Sequence, residues 1–277
     1  MRAISTVLDV TLCLLLVSAS AFVLAGARPP QSTARTRTAE STANVLTTST
    51  AGLNYTIRTD DGAIHRTTRG TLAGLLGQTA LANASVRGAE LSRASDPFEH
   101  AVARRVRERL DRPSRMRLLV QWEPYRNAHL RGRFAVGKSP PPQVDVHAAE
   151  ITLPNKFPPV RERALDAARR GGYRDVARVV AAGIVIGLVP NRTTTLALHD
   201  RETGATVAAR LRRLVRLYDV YGLDTNTLTT DRARRALIDA LTAAVEADLR
   251  STFRTPTEAA RSVSLGETRL VVRTWDA

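Results

Sequence analysis

Five histidines, one cysteine and scattered carboxylates are the residues from which this 277-residue chain would have to build a catalytic or metal centre. His65, His100, His129, His147 and His199 lie far apart with different flanks, which is not the spacing of a ligand set. Asp145, His147 and Glu150 form the single local cluster able to hold a cation. On a strand, Asp145 and His147 share a face while Glu150 points to the other, so the cluster does not converge and no metal is assigned. The chain has no P-loop, no G-x-G-x-x-G, no G-x-S-x-G and no H-E-x-x-H. Cys13 is the lone cysteine and sits inside an apolar run, so no intrachain disulfide can form. Its place within that run also lacks the small-residue context of a lipidation site. These residues assign no catalytic role, no cofactor and no metal ligand, and the expectation is a protein that is not an enzyme.

The chemistry that does have a motif is proteolytic and lies at the start of the chain. Arg2-Ala3-Ile4-Ser5 precedes an apolar run from Ile4 to Ala27, in which the 18 residues from Val10 carry no charge. That is about the length needed to span a hydrocarbon core. Three readings of the run are open. It is a retained transmembrane anchor, or a secretory signal cut after Ala25-Gly26-Ala27, an A-x-A site. The third reading is a prepilin-type leader. Arg2-Ala3 followed by Ile4-Ser5-Thr6-Val7-Leu8-Asp9-Val10 resembles the processing site and mature start of archaeal type IV pilin-like proteins. The resemblance covers about 25 residues. It implies cleavage before Ile4 by a prepilin-type peptidase on the cytoplasmic side, with the apolar helix kept. Asp9 would then be sixth in the mature chain, where bacterial pilins carry a carboxylate at the fifth position.

A wider resemblance rests on that N-terminal segment together with Trp122-Glu123-Pro124-Tyr125, Pro140-Pro141-Pro142 with Asp145-Val146-His147-Ala148-Ala149, and Val272-Arg273-Thr274-Trp275. Together these look like a family of haloarchaeal exported proteins of uncharacterised role, similar in layout to pilin-like components of archaeal pilus or secretion systems. The resemblance implies a membrane machine as partner and no catalytic activity. It transfers no site residue beyond Arg2, Ala3 and Ile4, with Asp9 as an assembly contact that pairs with a partner's freed amino terminus.

Composition bounds the rest. Past the anchor, about 250 residues remain, enough for one large domain or two small ones. A hydrophobic content of 43% is enough for a core. The formal charge is +15, and because Lys138 and Lys156 are the only lysines it is almost wholly arginine. A bias of this kind arises from a GC-rich genome, yet a basic surface attracts phosphate, acidic lipid and acidic glycan whatever its origin. Aromatic residues make up 4%, too few stacking platforms for single-stranded nucleic acid, so no specific nucleic-acid partner is expected.

The elements follow from patterning. Residues 28–40 read as a linker, with Pro29, Pro30 and no apolar period. Leu53 to Arg58 alternates as a short strand. Thr68 to Ala82 places Leu72, Leu75, Leu76 and Ala80 at helical spacing. Asp96-Pro97 opens a helix with Phe98, Val102, Val106 and Leu110 inward and Arg104, Arg105 and Arg109 outward. Arg115–Glu123 and Arg131–Val136 read as a hairpin. Val144–Leu153 follows as a strand with Val144, Val146 and Ala148 on one side, and Leu270–Trp275 closes the set. Val160–Arg170 is a helix stopped by Gly171-Gly172. Tyr173–Val189 is too short and too charged at its start for a second span and reads as a core helix. Ala205–Tyr221 is a basic amphipathic helix with Arg210, Arg212, Arg213 and Arg216 outward. Asp231–Phe253 is a long helix closed by Pro256.

The fold expected is α+β: an N-terminal transmembrane helix (residues 1–27), a linker (28–40), and an exported domain (41–277). That domain has an antiparallel sheet of four to five strands packed with several helices. Asn54, Asn83 and Asn191 stand in N-x-S/T sequons, which are used on exported chains. Arg28, Arg35 and Arg37 after the run favour a cytoplasmic domain by the positive-inside rule, but the prepilin-type motif requires export and is given precedence. The function expected is a non-catalytic, membrane-anchored exported subunit of a pilus-like or secretion-system assembly. Its partners are membrane lipid, other pilin-like subunits and a prepilin-type peptidase. Ser18, Ala21 and Ala25 give its helix a face for close approach. The alternatives are a surface-tethered basic protein that binds acidic polymers, and an envelope hydrolase with an unrecognised site.

Overall fold

Met116, Leu118, Val120 and Trp122 are buried and alternate with half-buried Arg117, Leu119 and Gln121 along β5 (Met116–Trp122), and that period-two pattern sets the plane of the domain. The computed structural model describes residues 31–59, 62–91, 96–110, 115–188 and 231–275, with Arg213, Arg216 and Leu217. The apolar N-terminal run, Asn191, His199 and most of the expected 205–221 helix lie outside these residues. Among the described residues no helix is long and apolar enough to cross a membrane.

In chain order the elements are α1 (Gln31–Thr48), β1 (Thr50–Thr59), β2 (Gly62–Thr71), α2 (Leu72–Ala82), β3 (Ala84–Val86), β4 (Ala89–Glu90) and α3 (Asp96–Arg109). After β5 come β6 (Leu130–Val136), β7 (Val146–Pro154), α4 (Arg161–Leu188), α5 (Asp231–Thr252), α6 (Pro256–Arg261) and β8 (Glu267–Trp275). The architecture is α+β. A six-stranded sheet runs β4-β3-β6-β5-β8-β7, every neighbouring pair antiparallel, and β1 and β2 form a separate two-stranded ribbon.

All four strands expected from Arg115 to Leu153 and at the C-terminus sit in the large sheet, with the C-terminal strand in its interior between β5 and the edge strand β7. The strand expected near Leu53–Arg58 pairs instead with β2, outside that sheet. β2 gives little sequence signal because Ile64 is its single large aliphatic residue.

Helices cover one face of the sheet. α2 buries Leu72, Leu75, Leu76 and Ala80 against it, each removing about 1.5–3 kcal/mol of apolar exposure for the leucines. Thr71 caps the helix by accepting the Gly74 amide at 3.0 Å. Gly132 on β6 is required by this contact, since a Cβ there would lie 1.8 Å from the Ala80 carbonyl oxygen. α1 lies on the β7–β8 side and occupies residues expected to be linker. Its buried stripe is Ala39, Ala43 and Leu46, and two alanines carry too little hydrophobicity to stand out among threonines. α3 buries Phe98, Val102 and Val106 as expected, and Phe98 meets Tyr55 of β1 with ring centroids 5.3 Å apart.

The remaining helices close one end of the sheet. Trp122, at the end of β5, stacks on Phe157 at 4.7 Å and donates its indole hydrogen to the Leu265 carbonyl at 2.9 Å. The helix expected from Val160 to Arg170 ends at the glycine pair, as expected, and its continuation is a second helical half of α4. Gly172 takes φ 73°, a conformation glycine adopts freely, and the helix resumes beyond it in a new direction. Val176, Val180, Ile184 and Val185 of the second half are buried, so this segment is a core helix. α5 packs along it through Leu237, Leu241, Val245 and Leu249. Pro256, expected only as a stop, is the first residue of α6, capped by Thr255.

Candidate functional site

The second face of the large sheet carries none of the buried residues that pack under α1 and α2. The register puts Arg117 directly opposite Arg273, and Ala148 opposite Arg273 on the other side. The next row in is Ala135, Leu119, Val271 and Glu150. The row after that is Arg133, Gln121, Arg269 and Thr152. All of these residues are exposed or half-buried, and Arg131, paired with Ser85 near the same edge, belongs to the same face. The result is an apolar stripe between two arginine-bearing rows. The rows are four residues apart along a strand, roughly 13 Å.

Electrostatics make the face unusual for a structural surface. Like charges directly opposite on an antiparallel pair are destabilising, yet Arg117 and Arg273 occupy such a pair. Arg117 donates to the Ser139 hydroxyl. Arg131, Arg133 and Arg273 have no carboxylate partner among the described residues. Two acidic groups on this side are engaged: Glu150 pairs with Arg269 at 3.2 Å, and Glu267 with Arg161 at 3.1 Å. These sit round a small cleft of about 80 Å³ that also takes in Glu123 and Ser264. No group of three metal-ligating side chains occurs among the described residues.

The residues singled out from the sequence do not converge here. Arg2, Ala3, Ile4, Asp9 and Asn191 lie outside the described residues. Asn54 is exposed on β1 and accepts a hydrogen bond from Thr67 Oγ1 at 2.9 Å. Asn83 is half-buried after α2 and uses its amide to donate to the Arg133 carbonyl at 3.0 Å. His147 turns toward the helix-covered face with Nε2 buried and without a partner, whereas Glu150 is on the open face. Val146 and Ala148 share a side as expected, but that side is the open one. His147, Ala149 and Ile151 face inward, because the burial of β7 follows its pairing with Thr274, Val272 and Leu270 of β8.

Sequence reasoning missed the most tightly held polar group of the domain. Asp248 on α5 is buried. It accepts from Tyr125 Oη at 2.6 Å and from the His129 backbone amide at 3.4 Å, with His129 Nδ1 2.9 Å away. The aspartate lies 119 residues from His129, so no local spacing announces it. The arrangement joins the β5–β6 turn to α5.

No curated protein and no solved structure matches the chain. A family model does match, over residues 8–275, which takes in every element of both sheets and all six helices described above. The chain therefore belongs to that family, described as a family of unknown function, DUF7284.

Proposed function

We propose that the chain is a non-catalytic, membrane-anchored exported subunit of a pilus-like or secretion-type assembly, which meets an acidic neighbouring protein through the open arginine face of β6-β5-β8-β7. The observation that carries the reading is the Arg117–Arg273 pair on the sheet face opposite α1 and α2. Two guanidiniums held side by side cost stability unless something anionic lies across them, and arginine is the cation best suited to carboxylates in such a contact. The apolar row of Ala135, Leu119 and Val271 between the charged rows favours a protein surface over a simple polyanion. A polymer of phosphates or uronates would leave that stripe in water. Anchoring is supported by the Ile4–Ala27 run, which ends a few residues before α1 begins at Gln31.

The reading is tested on the full chain in its native membranes. After a carbonate wash the protein should remain in the pellet, and chemical crosslinking should give larger species that salt disperses. Changing Arg131, Arg133 and Arg273 together to Glu should abolish those species while leaving the protein in the pellet. Unchanged crosslinked species in this variant would remove the arginine face from the proposal. Release of the natural chain by carbonate would remove the anchor. The alternative, a surface-tethered binder of acidic polymers, instead expects the soluble polymer alone to protect the face from modification.

A further inference from the structure

A second concave site lies away from the sheet, where the two halves of α4 meet α5. It is a cavity of about 490 Å³ open on one side, within the range that takes small organic ligands. Four guanidiniums surround it: Arg163 and Arg170 from the first half of α4, Arg178 from the second half, and Arg235 from α5. Arg163 and Arg170 are seven residues apart, two helical turns, and so lie on one side of their helix. The turn at Gly172 swings the second half so that Arg178 and Val179 line the same space.

The charges do not cancel. Arg178 is bound to Asp239 at 2.7 Å. Asp175 is in the first turn of the resumed helix, with its carboxylate against the Gly171 backbone, where it complements the helix dipole. Arg163, Arg170 and Arg235 have no carboxylate partner among the described residues. The cavity's surface is not wholly polar, since Val179 and Ile238 contribute apolar wall.

From this we infer that the α4–α5 cavity binds a phosphate ester, the phosphate held by Arg163, Arg170 and Arg235 and the organic part resting on Val179 and Ile238. A tetrahedral phosphate offers several acceptor oxygens, which suit guanidiniums arriving from separate helices, and charge-assisted bonds of this kind are the stronger ones. The chemistry is shared by a soluble phosphate ester and by a phospholipid headgroup. This inference does not depend on the anchored-subunit reading, because it concerns a different surface and a different ligand.

Calorimetric titration of the full chain, kept in a phosphate-free non-ionic detergent, decides it with three probes: inorganic phosphate, hexyl phosphate and dihexanoyl phosphatidate. Hexyl phosphate is expected to saturate one site and to bind more tightly than inorganic phosphate, because only the ester reaches the apolar wall. Tighter binding of dihexanoyl phosphatidate than of hexyl phosphate assigns a lipid headgroup, and weaker binding assigns a soluble ester. Each of Arg163→Gln, Arg170→Gln and Arg235→Gln should weaken hexyl phosphate about tenfold, whereas Arg254→Gln, exposed elsewhere, should not. All three target arginines are exposed, so the variants should keep the thermal transition of the natural chain. If none of the probes saturates, or if the three single variants bind as the natural chain does, the inference is overturned.

Discussion

Tyr125 donates its phenolic hydrogen to the buried carboxylate of Asp248 across 2.6 Å, and this bond fastens the turn after β5 to the C-terminal end of α5, the longest unbroken helix among the described residues. The other carboxylate oxygen lies 2.9 Å from His129 Nδ1, so both oxygens are engaged by the same β-turn. A buried carboxylate depends on such partners, because desolvation is costly for a charge left alone. Asp248→Ala is expected to lower unfolding free energy by about 2–4 kcal/mol, since it removes the acceptor that Tyr125 and His129 share and opens a small void. Tyr125→Phe should cost only about 1 kcal/mol, as the carboxylate keeps His129. Urea titration monitored by circular dichroism measures both, and equal losses would show that Asp248 stabilises the domain through Tyr125 alone and gains nothing from His129.

Two glycines on strands should respond to alanine in opposite senses. At Gly132 a methyl group meets the α2 backbone, which cannot move without shifting the whole helix. Gly132→Ala is therefore expected to cost more than about 2 kcal/mol. At Gly52, exposed on β1, the nearest atom is a side-chain nitrogen of Arg69 at an ordinary 3.8 Å. Gly52→Ala should be neutral or stabilising by up to about 1 kcal/mol, because the unfolded chain loses freedom. Thermal melting of the pair checks the helix-on-sheet contact directly.

The open face should show stability and assembly moving apart. Arg273→Glu replaces a like-charged cross-strand pair with an opposite one, and is expected to stabilise the domain by about 0.2–1 kcal/mol, more at low salt than at high. On the proposed function it should at the same time weaken crosslinking to neighbours. A variant that is more stable and less associated is the signature of charge kept for binding. A destabilised variant would mean that Arg273 makes structural contacts that matter more than its repulsion from Arg117.

Elements with a full-size apolar stripe were legible in the sequence, and elements built from small residues were not. Val120 and Trp122, or Leu241 and Leu249, fill enough volume to announce their period, so β5 and α5 were expected close to where they lie. α1 packs through Ala39 and Ala43, and β2 offers little beyond Ile64, so a linker and an unassigned stretch stood in their place. Gly171-Gly172 reads as a helix stop, and the first half of α4 does end there, at the positive φ of Gly172. The alternation of Val146 and Ala148 puts them on one side of β7 without saying which side is covered. Its burial is decided instead by pairing with β8, which arrives more than a hundred residues later. For the same reason the arginines at 117, 131, 133, 269 and 273 looked like scattered surface charge. Only the register puts them on one face.

Processing is the last expectation, and the anchored-subunit proposal rests on it. A prepilin-type cut between Ala3 and Ile4 falls on the cytoplasmic side of the apolar run, so it removes Arg2 without freeing the domain. Mass spectrometry of the membrane-bound chain should then read Ile4 as its first residue. Arg2→Glu should leave the chain unprocessed and still in the membrane, while changing Ala25 and Ala27 to Leu should leave its size unaltered. A secretory signal behaves the other way: the product begins at Arg28, appears outside the cell, and is lost when Ala25 and Ala27 are changed. Met1 found intact in the membrane fraction would leave a plain anchor. Asp9 gives an internal check. A carboxylate among apolar neighbours is costly unless paired, so Asp9→Ala should reduce co-purification with partner subunits. The urea midpoint of the folded domain should not move, because the contacts described for Asp248, Trp122 and Gly132 join elements of the domain to one another.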